Sequence, residues 1–564
     1  SLGASIAAAI ACACLAAFWA RETIGSVPGA AATGIFPAWQ DYFLHAAEIS
    51  YLRDYPSFER HSQYLTAIPQ PLYHRGSYAL AALFSELARV PSLSTATVYW
   101  LPTGLLLCMC ATFALGASLG GPIAGAGAIT AVFLLPDASG YGFENRYLSF
   151  HWLLQMAAGS GYALAPTLVA VSVLASAAPA RMTRAVIASI ALVGLGALFR
   201  VHVALLALGM ICWLLLLSWR PRLTARSAVW GLGAAAVVGG VLAWSESVSL
   251  APHFLTGSSH PVVFFRALHT QSVTTTSPFT EWSEHLGDTG KVALGFAMML
   301  VAGCGASLGV LVLTGLSGVW RRLGRRVTAL VLALLLASLS VILFVPTPAH
   351  GDVTDLGHRP FVLVYLVVAL VAGASAVKLL AEWSERRFSS HRPVTLFMAC
   401  LMLAGLVVPW HYGAKIQQRW MPKYSLILVS PDLIAAGAYV RSHSAAGEQV
   451  LAASQDAQGI VVALTERAAY LSRMPLFQLL GGDALELANV RSAAHAALSN
   501  PTSFDALHAF GIRTGVAWYI ADTPSTLLWP SDVTGHSVFE SGAVRVYDLR
   551  GPSPAAAPDR VPGE

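Results

Sequence analysis

The chain has 564 residues, of which 56% are hydrophobic and only 11% are charged, and its mean hydropathy is +0.62. Because soluble domains carry about 25% charged residues, this composition excludes an ordinary soluble globular protein and indicates many membrane-spanning helices. The net charge is only +5, so the basic residues are interpreted as signals of membrane topology rather than as a nucleic-acid-binding surface.

Eleven apolar runs have about the length that a membrane-spanning helix needs. They lie at 2–20, 94–116, 121–136, 162–180, 185–199, 203–219, 228–244, 292–318, 328–346, 360–381 and 393–410. The runs at 121–136 and 185–199 are short for a hydrocarbon core of about 30 Å, so those helices are expected to be tilted or supported by neighbours. The sequence therefore predicts a polytopic α-helical membrane protein with about eleven transmembrane helices.

Four short loops between these runs are rich in arginine, and with eleven spans all four fall on the same side. Their arginines are Arg181 and Arg184; Arg220, Arg222 and Arg226; Arg321, Arg322, Arg325 and Arg326; and Arg386, Arg387 and Arg392. The positive-inside rule makes that side cytoplasmic, which places the N-terminus inside and the C-terminus outside. The preference for arginine over lysine, with many alanines and glycines, indicates a bacterium, and hence its cytoplasmic (inner) membrane.

Acidic residues are concentrated on the opposite side. Of the 29 Asp and Glu residues, only Glu382 and Glu385 fall in predicted cytoplasmic loops. The polar chemistry is therefore expected on the extracytoplasmic face, above all in the first outer loop, 21–93. The cytoplasmic loops are too short to form a domain for a sugar nucleotide, which favours a substrate that is reached from outside.

Three polar residues follow the first apolar run in "FPAWQDYFLHAAEISYL". Asp41, His45 and Glu48 are spaced i, i+4, i+7, so they share one face if the segment is helical. A second interpretation remains open, in which the segment is an interfacial helix with a solvated polar face and a belt of aromatic residues. Further along the loop, His74 and Arg75 in "PLYHRGSY" suit a phosphate or a lipid head group.

Two more outer segments carry polar residues next to apolar runs. "GALFRVHVALL" places Arg200 and His202 at a tight turn, where an arginine within apolar sequence is costly unless it is paired. The alternative for Arg200 is a snorkelling side chain at a helix end. Glu144, in "GFENRYLSFHW", is either a second carboxylate of a site or a solvated loop residue.

A short loop, "HGDVTDLGHRPF", is the densest polar segment near the end of the membrane region. It contains Asp352, Asp355, His358 and Arg359. The two carboxylates are candidates for binding a metal ion, and the two basic residues are candidates for binding a phosphate.

The composition changes at about residue 411, which divides the chain into a transmembrane domain, 1–410, and a C-terminal domain, 411–550. "GEQVLAAS", "GIVVALT", "GIRTGVAWYIAD" and "GAVRVYDLR" are typical of short β-strands, whereas "DALELANVRSAAHAALS" and "NPTSFDALHAFGI" are typical of helices. This alternation predicts an extracytoplasmic α/β domain. The proline-rich tail, 551–564, is predicted to be disordered.

The first outer loop resembles that of the GT-C glycosyltransferases. "DYFLHAAEI" followed by "PLYHRGSYALAALF" places an acid shortly after the first helix, ahead of an alanine- and leucine-rich helix. The resemblance implies a GT-C-like fold and transfer of a hexosyl or pentosyl group from a polyprenyl-phosphate-linked donor. The acceptor would be an extracytoplasmic glycan, lipid or protein of the cell envelope, and the other partners would be membrane lipids, with no nucleic acid.

The resemblance also implies roles for particular residues. Asp41 would act as the general base of an inverting transfer, with His45 and Glu144 as further catalytic residues. Residues expected to bind the substrate and its lipid phosphate are His74, Arg75, Arg200, His202, His358 and Arg359. No cofactor is certain; a divalent cation, Mg²⁺ or Mn²⁺, remains open with Asp41, Asp352 and Asp355 as candidate ligands, because no ligand spacing decides the matter.

Two other functions remain open. A transporter or flippase of lipid-linked glycans would also place arginines and carboxylates near the membrane, although the sequence shows no inverted repeat of the kind common in transporters. A non-catalytic subunit of a membrane complex would keep the fold without the activity.

Overall fold

The computed structural model describes residues 2–37, 39–55, 61–68, 75–135, 148–219, 261–270, 278–323, 325–345, 355–389, 427–498 and 501–551. The chain divides into two compact units. The helical unit comprises Ser1–Arg21, Leu72–Ser77 and Trp100–Lys423, and the sheet unit comprises Glu22–Pro71, Tyr78–Tyr99 and Tyr424–Glu564.

The first part of the chain is almost entirely helical. Its elements are α1 (Leu2–Trp19), α2 (Arg21–Ile24), α3 (Ser26–Thr33), strand β1 (Ile35–Phe36), α4 (Asp41–Asp54), α5 (Arg75–Ala88), α6 (Ser92–Ser94), a π-helical segment (Thr95–Trp100), α7 (Leu101–Gly120), α8 (Pro122–Leu134), α9 (Phe150–Met156), α10 (Gly159–Ser176), a 3₁₀ turn (Pro179–Arg181), α11 (Met182–Phe199) and α12 (Val201–Trp219).

The remaining described residues contain more helices and the sheet. The elements are α13 (Pro261–Thr270), α14 (Pro278–Ser283), α15 (Asp288–Leu316), α16 (Val319–Leu323), α17 (Arg325–Phe344), α18 (Asp355–His358), α19 (Phe361–Phe388), β2 (Ile427–Leu428), α20 (Pro431–His443), β3 (Gln449–Ala452), α21 (Ile460–Thr465), α22 (Met474–Leu480), α23 (Gly482–Ala496), α24 (Phe504–Thr514), β4 (Val516–Ala521), a 3₁₀ turn (Pro524–Leu528), α25 (Ser531–Thr534), β5 (Phe539–Ser541) and β6 (Val544–Asp548).

Within the described residues, six helices are long and apolar enough to cross a membrane. They are Ser92–Gly120, Gly159–Ser176, Met182–Phe199, Asp288–Leu316, Arg326–Phe344 and Phe361–Phe388, and shorter apolar helices occupy Gly3–Trp19, Pro122–Leu134 and Val201–Leu217. These nine helices match nine of the predicted apolar runs, while the runs at 228–244 and 393–410 lie outside the described residues. The protein is a multi-pass helical membrane protein followed by a small sheet region, which confirms the predicted fold class.

Helices of the helical unit approach one another through small residues. A Cβ atom added at Gly373 of α19 would lie 2.2 Å from the carbonyl oxygen of Gly127 in α8, and one at Gly161 of α10 would lie 2.6 Å from the backbone of Gly104 in α7. Glycine is required at these crossings because the backbones are in contact, a packing mode that is common between membrane helices. In α19, 83% of the most apolar 18-residue stretch is buried, which makes α19 a central helix of this unit.

The sheet unit is built around four strands in the order β3-β4-β6-β5. β3 and β4 are parallel, and the other two pairs are antiparallel. Ala47 of α4 and Tyr64 belong to the same apolar core as Val450 of β3 and Tyr519 of β4, and β1 pairs with β2 in an antiparallel arrangement. Most of the predicted first outer loop therefore belongs to one compact unit with the C-terminal residues.

One of the predicted strands is wrong. "GIVVALT" forms α21 rather than a strand, although its β-branched residues favour extended structure. The helix starts after Gly459, which has a left-handed backbone, and the carboxylate of Asp456 accepts a hydrogen bond from the Val462 amide in its first turn. These local hydrogen bonds satisfy the free amides of a helix start and override the propensity. Residues 552–564 of the predicted disordered tail lie outside the described residues.

Candidate active site

Asp41 is the first residue of α4, in the sheet unit. The first turn is closed by hydrogen bonds from the Tyr42 amide to the Trp39 carbonyl and from the Phe43 amide to the Gln40 carbonyl. A carboxylate in the first turn is favoured by the positive end of the helix dipole. Asp41 is half-buried, whereas the polar residues that follow it on the helix are enclosed.

The two polar residues that follow Asp41 on this face are buried. His45 is 4% exposed and Glu48 is 5% exposed. The Nδ1 atom of His45 lies 2.8 Å from the hydroxyl oxygen of Tyr78 in α5, and its ring packs edge-on to Tyr42 with 5.7 Å between centroids. The helix predicted by the spacing is confirmed, but the alternative of a solvated polar face does not hold for His45 and Glu48.

Tyr42 links Asp41 to the segment that precedes it. Burial raises the pKa of the Tyr42 hydroxyl well above its usual value, a hydrogen bond to Thr23 lowers it, and the charge of Asp41 raises it again. Tyr42 therefore remains a neutral phenol at physiological pH. Asp41 thus sits beside an uncharged aromatic group.

Several predicted residues are described only in part or not at all. His74, Glu144 and Asp352 lie outside the described residues, and Arg75 and Asp355 begin α5 and α18 without a described side chain.

Close packing explains why a glycine, Gly76, follows the "YHR" segment. A Cβ atom at Gly76 would lie 2.8 Å from the Leu198 carbonyl oxygen, so no larger residue fits without a shift.

Arg200 and His202 lie in the helical unit at the bend between α11 and α12, and both are buried. The backbone of Arg200 is extended, and its Nη1 atom donates a hydrogen bond to the Ala157 carbonyl at 3.3 Å, just beyond α9. The alternative of a snorkelling side chain does not fit, because the Arg200 guanidinium is enclosed by protein.

His358 is the last residue of α18, and Arg359 follows it in the turn that leads into α19, also in the helical unit. His358 is buried and Arg359 is half-buried. The preceding Gly357 lies against the Phe264 ring of α13, where a Cβ atom would come within 2.1 Å of a ring carbon. A residue larger than glycine therefore does not fit at position 357, directly before the two basic residues, without a shift of the Phe264 ring.

Two side-chain contacts, one in each unit, could not be predicted from the sequence because their residues lie far apart in the chain. Tyr78, the partner of His45, is 33 residues away from it, so no helical periodicity connects the two. In the helical unit, Trp19 Nε1 donates a hydrogen bond to His151 Nδ1 at 3.2 Å. Because indole is only a donor, this bond makes His151 Nδ1 an acceptor and gives a neutral imidazole that carries its proton on Nε2.

The described part of the chain contains no group of three or more His, Cys, Asp or Glu residues that could hold a metal ion. Of the candidate ligands, the side chain of Asp41 is described, whereas those of Asp352 and Asp355 are not.

No family model matches the sequence, and no curated protein matches it. Solved structures similar to the chain include the archaeal oligosaccharyltransferase AglB from Archaeoglobus fulgidus in complex with an inhibitory peptide and a dolichol-phosphate. That structure is 13% identical, with a TM-score of 0.46, and the match covers 92% of this chain and 69% of that one.

Two further similar structures come from bacteria. ArnT from Cupriavidus metallidurans bound to undecaprenyl phosphate is 12% identical, with a TM-score of 0.48 over 97% of this chain and 98% of that one. Arabinofuranosyltransferase AftD from mycobacteria is 13% identical, with a TM-score of 0.49 over 96% of this chain and 40% of that one.

Proposed function

We propose that the protein is a GT-C type glycosyltransferase. It moves a hexosyl or pentosyl group from a polyprenyl-phosphate-linked donor to a hydroxyl group of an extracytoplasmic glycan, lipid or protein. The observation that supports this most directly is the state of Asp41. Asp41 is half-buried at the start of a helix whose next polar residues, His45 and Glu48, are buried, and the His45 ring is bonded to Tyr78.

Asp41 acts as the general base of a single displacement. Its carboxylate accepts the proton of the acceptor hydroxyl while that oxygen attacks the anomeric carbon of the donor sugar. The bond from the anomeric carbon to the lipid phosphate oxygen breaks, and the polyprenyl phosphate leaves with the electron pair. Attack opposite the leaving group inverts the anomeric configuration. A positioned base of this kind contributes about 10²–10⁴-fold to the rate.

His45 acts as a positioning residue, because its bond to Tyr78 fixes the turn of α4 that follows Asp41. A fixed helix holds the carboxylate in one orientation toward the acceptor, which lowers the entropic cost of the reaction. Glu144 is proposed as the second carboxylate of the catalytic site.

Charge on the departing phosphate requires cationic partners. Arg200 and Arg359 suit this role, because a guanidinium matches a phosphate in shape and charge. His202 and His358 are their neighbours in the chain, and both imidazoles are buried. Together with His74 and Arg75, these residues form the proposed binding set for the lipid phosphate.

The experiment is sugar transfer by the full-length protein in lipid nanodiscs. A panel of radiolabelled polyprenyl-phosphate sugars is offered with an envelope-lipid and glycan extract, and the native protein is compared with Asp41→Asn. The matched control is Asp483→Asn, an exposed first-turn acid of α23. We expect transfer by the native protein and by the control, and an inverted anomeric configuration in the product by NMR.

The same assay decides between the alternatives. Binding of the lipid donors without transfer by any variant would contradict the proposal and favour a flippase or a non-catalytic subunit. Retention of configuration would contradict the single displacement. Loss of transfer in EDTA that is restored by Mg²⁺ or Mn²⁺ would assign a divalent cation, and transfer that is unchanged in EDTA would remove it.

A further inference from the structure

A small polar pocket lies beside the last turn of α4, within the sheet unit. Its volume is about 250 Å³, the open space at its mouth included. Sites that enclose a drug-sized ligand measure about 300–1,000 Å³, so this pocket suits one ring of a larger molecule. We call it the α4 pocket. The lining residues that decide its chemistry are Tyr51, Asp54, Tyr55, Gln63 and Arg467.

Gln63 places an unused hydrogen-bond donor in the wall of the α4 pocket. It is 2% exposed, and among the residues that the structure describes its Nε2 atom has no hydrogen-bond partner. A buried donor without a partner destabilises a folded protein, and such groups are rare. A donor of this kind at a pocket therefore indicates a ligand that supplies the missing acceptor.

The charged groups around the pocket balance one another. Arg53 pairs with Asp54 and Glu466. Arg467 also pairs with Asp54, so two guanidinium groups face two carboxylates. The five N–H groups of Arg467 are already used, because they donate to Asp54 and to four other oxygen atoms of the sheet unit. Arg467 has no donor left for a phosphate or a carboxylate, which favours a neutral ligand.

Asp54 keeps acceptor positions for such a ligand. Its Oδ1 atom accepts a hydrogen bond from Arg53, and its Oδ2 atom accepts one from Arg467. A carboxylate offers about four acceptor positions, so each oxygen can accept one more bond. The Asp54 side chain is 14% exposed. It can therefore accept a hydrogen bond from a ligand hydroxyl, which complements the donor of Gln63.

Two tyrosines provide an aromatic surface in the same pocket. The rings of Tyr51 and Tyr55 lie side by side, with 4.9 Å between their centroids, and both residues are half-buried. Gly447 stands close to this surface, since a Cβ atom there would lie 2.9 Å from the Tyr55 hydroxyl oxygen. The face of an aromatic ring is negative and attracts the slightly positive C–H groups on one side of a sugar ring.

These groups together match a neutral sugar ring, which has C–H groups for the tyrosines, a hydroxyl donor for Asp54 and an oxygen acceptor for Gln63. We propose that the α4 pocket binds a sugar residue of the acceptor. Helix α4 has 14 residues, so about 20 Å separate Asp41 at its start from the pocket at its end. An acceptor that reaches both is a glycan chain of several sugars. That the bound sugar belongs to the acceptor rests on the proposed function.

Binding is tested by photocrosslinking of the full-length protein in nanodiscs. The photoreactive residue p-benzoylphenylalanine replaces Tyr55 or, as control, Leu528, which is 87% exposed and lies outside the pocket. The probe is the glycan fraction of the cell envelope, released from lipid and protein, and adducts are identified by mass spectrometry. We expect sugar adducts at least about tenfold more often at position 55 than at position 528. Equal sugar labelling at the two positions, including none at either, would overturn the proposal, and so would peptide or lipid adducts at position 55.

The variant Gln63→Met separates binding from folding. Methionine keeps the length of the side chain and removes the donor. Because the donor has no partner among the described protein groups, we expect the β4 amides to exchange no faster than in the native protein. KM for the glycan acceptor should rise about three- to tenfold, as expected for one lost hydrogen bond. The control Gln478→Met, at an exposed glutamine of α22, should leave KM at the native value.

The outcomes distinguish this proposal from the proposed function. Equal KM in the two methionine variants would overturn the role of Gln63, and faster β4 exchange in Gln63→Met would show that its amide has a partner within the protein and would overturn it too. Sugar adducts at position 55 without transfer by the native protein would contradict the proposed function and leave a sugar site standing. Transfer to a lipid or protein acceptor, with no sugar adducts, would overturn the α4 pocket as a glycan site and leave the proposed function standing.

Discussion

Glu466 joins three segments of the sheet unit through one buried carboxylate. It directly follows α21, and its side chain is 2% exposed. One carboxylate oxygen lies 2.8 Å from Nη1 of Arg53 near the end of α4, and the other accepts a hydrogen bond from the Ser92 amide in α6. Replacing Glu466 by Gln keeps the shape and the acceptor for Ser92 but removes the negative charge.

The loss of unfolding free energy expected for Glu466→Gln depends on the ion-pair partner that Arg53 keeps. Burial disfavours the charged form of Arg53, but its bonds to Asp54 and Glu466 more than offset this and raise the pKa of the guanidinium. Removing one partner of a buried ion pair costs about 3–5 kcal/mol. Asp54 remains 2.8 Å from Arg53 in the variant. We therefore expect a loss of unfolding free energy at the lower end of that range, about 3 kcal/mol.

Native-state hydrogen exchange measures this loss within the intact protein. All six residues of β4 are buried, so their amides exchange through opening of the sheet unit. A loss of about 3 kcal/mol speeds that exchange about a hundredfold. The control is Glu540→Gln, which removes a pair with Arg545 at 3.0 Å whose carboxylate is 52% exposed. An exposed pair is worth about 0–1 kcal/mol. Equal exchange rates in the two variants would refute the reasoning.

Three further predictions use the same preparations. Burial raises the pKa of Asp456 to about 7, above the value of about 3.9 in an unfolded chain, so its contribution to stability is full below about pH 4 and is lost as the pH rises to about 7. Asp456→Asn should therefore flatten the fall in β4 protection between about pH 5 and 7, and an unchanged fall would contradict this. Tyr78→Phe removes the bond to His45 and should lower kcat about three- to tenfold, as expected for one hydrogen bond; a change confined to KM would argue against a positioning role. Arg200→Gln should reduce kcat/KM for the lipid donor at least about tenfold, whereas the exposed Arg181→Gln should leave it unchanged; equal effects would exclude Arg200 from the phosphate site.

Much of the membrane region was predictable because its signal is local. A spanning helix must be apolar along its whole length, so the runs identify helices such as α10 and α11 within a few residues. The spacing of Asp41, His45 and Glu48 likewise predicted α4. The start of α24 also follows from local chemistry, since Ser503 caps it. Its end was placed too early, because Gly515 rather than Gly511 takes the left-handed conformation that ends the helix, and residues 511–514 of the predicted strand "GIRTGVAWYIAD" are helical.

The surroundings of Asp41 were not predictable, because they depend on contacts between distant segments. The spacing of His45 shows that it shares a face with Asp41 but not that Tyr78 covers this face. In the same way, Ala47 and Tyr64 enter a core with Tyr519, which lies several hundred residues later in the chain. A sequence pattern reports the period of an element, whereas burial depends on which element packs against it.

The central claim is that Asp41 is the base of a glycosyl transfer, and its most direct test is the turnover of Asp41→Asn. The measurement is the rate of sugar transfer from the donor that the native protein accepts, under saturating donor and acceptor. Asparagine preserves the size of the side chain and removes its basicity. We predict a rate at least about a hundredfold below that of the native protein, with Asp483→Asn at the native rate. Equal rates for native protein and Asp41→Asn, with both folded by hydrogen exchange of β4, would contradict the assignment.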